Sequence, residues 1–196
     1  MKPIAREIVA EIVHELYGNK ILSNLTRPLY VERLLVRLLK GRWQYVGGDW
    51  SGWDLEETTS NLRIEVKQSA ARQTWTDGPF RVGKPTKPIF DIRERTGYYE
   101  NGGSRWVDGL GRPADLYIFA WHPGFAPKEY VDHTDPEQWE FYLLPERRLP
   151  TKQRTIGLNG LKKLNPIYAQ HDSVADAVQA LGSNLQPLKW SLRRAT

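Results

Sequence analysis
The chain has 196 residues, enough for one full hydrophobic core and short for two independent domains. Its 28 Lys and Arg against 23 Asp and Glu give a net charge of +5, a moderate excess that suits a polyanionic partner without requiring one. It holds no cysteine, which excludes disulfides, thiolate zinc sites and a cysteine nucleophile, and which agrees with a reducing cytoplasmic location.

Ile4, Ile8, Ile12 and Leu16 fall at helical spacing with Glu7, Glu11 and Glu15 on another face, which predicts an amphipathic helix over residues 4–17. The sequence becomes charged at once and no apolar run approaches the ~18 residues of a membrane span, so neither a targeting segment nor a membrane partner is expected. A second helix should open near Pro28, a good first-turn residue, and run through Leu34, Leu35, Leu38 and Leu39 to Gly41. Strand signals follow at 43–46, 53–59 and 62–70, separated by Gly47-Gly48 and Ser60-Asn61, and together read as a meander. Residues 75–88 hold Gly78, Pro79, Gly83, Pro85 and Pro88 among basic residues and read as an exposed loop. A short helix is expected over 91–99 and a glycine-rich loop over 101–111. Residues 115–121 read as a largely buried strand, and another strand follows the His122-Pro123-Gly124 turn at 139–144. Helical pieces near 158–164 and 173–181 close the chain. This order predicts an α/β protein in the mixed α+β sense, with one central mixed sheet of about five strands flanked by helices. A single domain is expected: an N-terminal helix in 1–27, a core in 28–145 and a C-terminal helical extension in 146–196.

The sharpest chemical signal lies in residues 62–70. Side chains alternate along a strand, so Ile64 and Val66 point one way while Glu65 and Lys67 point the other, their Cα atoms about 6.5–7 Å apart. If the apolar pair faces the core, the charged pair faces a cleft. A hairpin through Ser60-Asn61 would bring Asp54 alongside Glu65 on adjacent strands. Two like charges at that distance repel unless a cation sits between them, and Mg²⁺ is suited because it takes one or two carboxylates plus phosphate oxygens and water. Lys67 would then neutralise charge growing on a phosphate. A Glu-x-Lys triplet alone is common. The clean alternating frame, the Asp at hairpin distance and the preceding helix with Glu32 make this one more specific.

Charge is unevenly spread. Residues 63–95 contain eight Lys or Arg and four Asp or Glu, and residues 146–163 carry Arg147, Arg148, Lys152, Arg154, Lys162 and Lys163 against Glu146 alone. Residues 96–145 between them are acidic by five charges. Candidate contacts to a nucleic-acid backbone are therefore Arg72, Arg81, Lys84, Lys87, Arg147 and Arg148. The eight tryptophans include Trp43, Trp50, Trp53 and Trp75 near the proposed site, where core packing or site walls is the better reading than base stacking. Asp49 sits in a Gly47-Gly48 turn and ranks behind Asp54 as a ligand. Glu56 shares strand parity with Asp54 and Glu57 does not. His133 and Asp135 read as surface residues, His171 and Asp172 as helix-start residues, and His14 as part of the first helix. No P-loop, dinucleotide fingerprint or nucleophile elbow is present.

Helix with Glu32, strand, strand opening at Asp54, and strand with Glu65-Val66-Lys67 resembles the PD-(D/E)XK nuclease superfamily, over roughly residues 28–70 and the later strand at 115–121. The resemblance implies a restriction-endonuclease-like core and a metal-dependent deoxyribonuclease, an endonuclease before an exonuclease, acting on DNA with Mg²⁺ or Mn²⁺. By position it makes Asp54 and Glu65 metal ligands, the carbonyl of Val66 a further ligand, and Lys67 the catalytic lysine. Glu32 would hold metal-bound water, and Gln68 or Gln73 would be an accessory glutamine. Trp53 stands where proline often precedes the aspartate. A homodimer is compatible with this reading. Two other readings compete: a non-catalytic nucleic-acid-binding module on the same fold, and an interaction component of a defence or toxin system.

Overall fold
Both N-terminal helices form where the apolar spacing puts them. A computed structural model of the protein, describing residues 3–48, 51–76, 83–100 and 104–185, places α1 at Pro3–Tyr17 and α2 at Arg27–Leu39. On α2, with proline in its first turn, Val31, Leu35 and Leu39 recur every four residues and are buried as one stripe. On α1 no residue is buried, and Ile4, Ile8, Val9, Ile12, Val13 and Leu16 stand exposed.

The expected meander follows as β1 (Trp43–Tyr45), β2 (Leu55–Glu57) and β3 (Arg63–Ala70), antiparallel throughout. Asn61, at φ 57°, turns the chain between β2 and β3, a conformation that asparagine tolerates better than most residues. Next come β4 (Ile89–Asp91), β5 (Arg95–Glu100) and β6 (Arg105–Gly111), then β7 (Leu116–His122) and β8 (Glu140–Pro145). The chain closes with β9 (Thr155–Gly157), α3 (Leu158–Lys163), β10 (Ile167–Ala169) and α4 (Val174–Gly182).

A six-stranded mixed sheet in the order β1-β2-β3-β7-β8-β10 organises these elements, one strand more than expected. The parallel pairing of β3 with β7 sets Glu65 opposite Tyr117 and Lys67 opposite Phe119. Alternation along the central strands divides the core in two. Ile64, Val66, Leu116, Ile118, Phe141 and Leu143 pack with the buried residues of α2 and α4. Tyr117, Phe119, Trp121, Tyr142 and Leu144 face the other way, against Phe90 of β4, Ile156 of β9 and Leu161 of α3. All seven residues of β7 are buried, which is why its sequence runs apolar from Leu116 to Trp121 instead of alternating.

Three sequence expectations are corrected. No helix spans 91–99, because Thr96, Tyr98 and Tyr99 are strand formers and β5 pairs antiparallel with β6. The second strand of that ribbon occupies most of the glycine-rich stretch read as a loop. On the first strand, Gly97 has a packing reason, since a side chain there would collide with the indole of Trp106. The C-terminal stretch is not simply helical: β10 extends the main sheet and β9 pairs with β4.

Candidate active site
Strands β2 and β3 separate at Asp54, and the separation creates the site. Their register pairs Leu55 with Ile64 and Glu56 with Arg63. At the next step the backbone N–H of Asp54 donates to the Ile64 carbonyl at 2.9 Å, and its carboxylate Oδ2 accepts from the N–H of Val66 at 2.7 Å. Val46 and Gly47 both donate to the Asp54 carbonyl, at 2.9 and 3.0 Å, which fixes the backbone from the other side. The N–H and C=O of one strand residue point to the same side. The carbonyl of Val66 therefore turns toward Asp54 as its N–H does.

Glu65 and Lys67 share the face opposite to Ile64 and Val66. Glu65 is only 3% exposed, and its Oε1 accepts from Lys67 Nζ at 2.5 Å and from Arg95 Nη2 at 3.0 Å. Arg95 also donates through Nη1 to the Ser51 carbonyl at 2.5 Å, tying the start of β5 to this corner of the sheet. The expected helix over 91–99 had concealed this arginine, and only the strand pattern of Thr96, Tyr98 and Tyr99 signalled it.

Electrostatics bring a third carboxylate into the group. Burial pushes the Asp54 carboxyl well above the usual carboxylate range, and the charges of Glu65 and Glu32 push it further. Burial and then Glu65 raise Glu32 on α2, with Lys67 and Arg33 in partial opposition. Burial works against charge on Lys67, but attraction to Glu65 and Asp54 outweighs it and its pKa lies above the ordinary lysine value. Tyr117 is raised strongly, by burial first and by Glu65 second, so it is a neutral wall of the site. Asp54 thus reaches into the fork between the strands, Glu65 approaches on one face, and Glu32 comes from the helix packed on the other.

Among the described residues no group of three His, Asp or Glu side chains forms a ready cation cage. Mg²⁺ does not need one, because it commonly binds through one or two carboxylates and completes its shell with water and substrate oxygens. The donor set fits a hard ion on these terms: two carboxylates, a carbonyl directed into the same fork, and repulsion that a cation would relieve. Glu65 is the constrained member, since an ion must share it with Lys67 and Arg95.

Other sequence candidates fall elsewhere. Gln68 shares the face of Ile64 and Val66, where its Oε1 accepts from Arg27 Nε at 2.5 Å. Gln73 accepts from Arg27 Nη1 at 2.9 Å and donates to the Ala70 carbonyl at 2.8 Å. Both glutamines thus hold the buried first turn of α2. Arg72 is 6% exposed, donates to the Phe125 carbonyl at 2.6 Å and sits over the Phe125 ring, a loop anchor where an exposed backbone contact was expected. Lys84, Lys87, Arg147 and Arg148 are exposed, and Arg148 donates to the carbonyls of Leu164 and Asn165. Arg81, Asp49 and Trp50 lie outside the described residues.

Glu56 accepts from Trp53 Nε1 at 2.9 Å, while Glu57 is buried, caps the N–H groups of Thr59 and Ser60 and pairs with Arg42. His133 is not a surface residue. It is fully buried against His122 and Trp139, accepts from the Leu22 N–H at 3.1 Å, and burial drives its pKa down to about 3.

No protein-family model and no curated protein matches the chain. Among solved structures it is similar to a bacterial homing endonuclease, I-Ssp6803I, with 17% identity, 69% of this chain and 74% of that chain covered, and a TM-score of 0.34. A likeness at that score assigns neither fold nor activity. No helix among the described residues is long and apolar enough to cross a membrane.

Proposed function
We propose that the chain is a metal-dependent deoxyribonuclease of the PD-(D/E)XK type, an endonuclease that hydrolyses phosphodiester bonds in DNA by attack of metal-activated water, with Mg²⁺ or Mn²⁺ as cofactor. The observation that carries the reading is the fork itself. Asp54 and Glu65 stand on diverging strands with Lys67 on the second carboxylate, and burial first and the charge of Glu65 second raise the pKa of Asp54. Bound to Asp54, Glu65 and the Val66 carbonyl, the ion would supply Lewis-acid polarisation of water and charge neutralisation at the phosphate.

The chain's own residues do the rest. Asp54 is oriented by the Val66 N–H and so presents its remaining lone pairs to the fork. Lys67 keeps its proton, and from its place on Glu65 it stabilises negative charge developing on the phosphate. Glu32, whose pKa is raised by burial first and by Glu65 second, is the carboxylate proposed to take up or hold a water proton. Lys84, Lys87, Arg147 and Arg148 are the exposed cations available to the DNA backbone, and affinity should fall steeply with salt. A homodimer and a cytoplasmic location complete the proposal, the latter in keeping with a chain that has no cysteine.

The test is incubation of supercoiled plasmid with the protein and Mg²⁺, Mn²⁺ or EDTA, alongside Asp54→Ala and Lys67→Ala. Cleavage that needs the metal and both side chains, with DNA binding nearly intact in the variants, is expected. Undiminished cleavage by both variants ends the reading. One observation favours a second reading, a non-catalytic DNA-binding module: Glu65 already has Lys67 and Arg95 as counter-charges and needs no metal for neutrality. Thermal melting separates the two. A midpoint unmoved by millimolar Mg²⁺ supports the module, and a rise supports the nuclease.

A further inference from the structure
One strand step from the fork, on the same face of the sheet, lies a groove that the cleavage chemistry does not use. Direct cross-strand partners share a face, so the pairings Gln44 with Glu56 and Glu56 with Arg63 set three polar side chains in a row across β1, β2 and β3. Arg63 precedes Glu65 by two residues on β3 and Glu56 follows Asp54 by two, which puts the Cα atoms of this row about 6.5–7 Å along the strands from those of Asp54 and Glu65. Trp53, Asn61, Tyr99 and Glu100 complete a cavity of about 510 Å³, within the ~300–1,000 Å³ usual for small-molecule sites.

The chemistry of the lining is selective. The Arg63 guanidinium lies over the Trp53 ring at 4.1 Å, which makes a flat, rigid wall, and Trp53 meets Tyr98 edge to face at 5.3 Å. Tyr99 is 37% exposed at the rim and stacks edge-on against Trp106. Gln44 and Asn61 are exposed carboxamides that can donate and accept at once, the pattern that pairs with the edge of a nucleobase. Glu56 and Glu100 add acceptors only. Glu56 is held by Trp53 and Glu100 by Arg105 and Tyr98, and the aromatic and carboxamide lining suits the neutral ring of a nucleotide.

We propose that this groove holds an unpaired nucleobase next to the phosphate bound at Asp54, Glu65 and Lys67, so that the substrate is DNA with single-stranded character at the cleavage point. The inference rests on the nuclease reading for the neighbouring phosphate. A base can enter the cavity between Trp53 and Tyr99 only by leaving its duplex stack, and the preference for strands already open at that point follows from that barrier. Aromatic stacking is tolerant of base identity, so the groove selects for an unpaired nucleotide more than for a sequence.

The test uses fluorescein-labelled 20-nucleotide DNA in EDTA with the full chain: a mixed-sequence single strand, a strand of the same length made of abasic units, the perfect duplex, and a duplex with one unpaired nucleotide. Anisotropy should show the base-bearing strand binding about tenfold tighter than the abasic strand of equal charge. The bulged duplex should bind tighter than the perfect one. In the Gln44→Ala/Asn61→Gly double variant, where glycine accepts the positive φ of position 61, and in Tyr99→Ala both differences should shrink to about threefold or less, with the double variant's melting midpoint unchanged. Equal affinity for base-bearing and abasic strands overturns the proposal, and so does a base preference untouched by these variants. Metal-dependent nicking combined with no base preference removes the groove and leaves the nuclease. Base-dependent binding without cleavage in Mg²⁺ or Mn²⁺ keeps the groove and removes the nuclease.

Discussion
Replacing Asp54 by asparagine should stabilise the metal-free protein while abolishing its response to Mg²⁺. Asparagine keeps an acceptor for the Val66 N–H now bound at 2.7 Å, so the local fold is preserved and only the charge is lost. Two carboxylates about 6 Å apart repel by roughly 3 kcal/mol at an effective dielectric of 20. Lys67 and Arg95 neutralise much of Glu65, which leaves about 1–2 kcal/mol to be recovered. For a chain of this size that corresponds to a rise of about 2–8 °C in Tm. Calorimetry in EDTA at pH 8 should show this rise, and added Mg²⁺ should lift the wild type but not the variant. A variant that melts at or below the wild type in EDTA, or gains as much from Mg²⁺, refutes the argument that the two carboxylates oppose each other in the fork.

The pH dependence of the metal-free protein follows from the same group. Asp54 and Glu32 have folded pKa values above their ordinary 3.8 and 4.5, so the fold binds protons more tightly than the unfolded chain, and stability is lost as pH rises from those values through the raised ones. Melting midpoints in EDTA should fall over that window, and the gain from Mg²⁺ should grow with pH. Arg95→Gln frees one of the two partners of Glu65, so the Mg²⁺ concentration giving half-maximal thermal stabilisation should fall several-fold, and an unchanged value shows that Arg95 does not compete for the carboxylate. At the acid end His122 and His133 are both depressed, chiefly by burial, the second to about 3. Their contribution is whole above the ordinary histidine pKa of 6.5 and is lost as pH falls, at up to about 1.4 kcal/mol per pH unit for each ring. His133→Gln should flatten the urea-measured slope between pH 6.5 and 5, and a slope equal to the wild type's shows that the imidazole is not held neutral.

The parts of this fold legible in the sequence are those whose periodicity has one cause. On α2 the buried stripe of Val31, Leu35 and Leu39 faces one core, and on β3 one face is apolar and the other charged, so spacing alone places Asp54 beside Glu65. The ribbon of β5 and β6 is hidden because each strand pairs only with the other, a relation that local spacing does not carry, and Gly97 on β5 leaves room for Trp106, a tertiary contact with no local signature. His133 was misplaced for the same reason. Its acidic neighbours Asp132 and Asp135 face solvent more than it does, while its ring is fully buried between His122 and Trp139. Gln68 illustrates a third limit, since parity along β3 already set it opposite to Lys67. The resemblance offered it a role on which strand geometry alone was silent, and its partner proved to be Arg27.

Arg95 gives the fork and the groove a common member, and this has an energetic consequence. One of its nitrogens is on Glu65 and another on the carbonyl of Ser51, which lines the groove and bridges to Tyr99. A cation that shares Glu65 weakens the first contact, and a base seated against Tyr99 steadies the segment holding the second. Each event would change the position from which Arg95 meets the other, so the two proposed bindings should be coupled. Coupling between bindings is reciprocal, so Mg²⁺ must change affinity for a base-bearing strand by the same factor by which that strand changes affinity for Mg²⁺. Calcium, which occupies oxygen sites without supporting most Mg²⁺-dependent cleavage, allows both factors to be measured by anisotropy and calorimetry on intact DNA. Arg95→Gln should bring both factors toward one together. If one factor moves while the other stays, Arg95 is not the connection between the groove and the carboxylates.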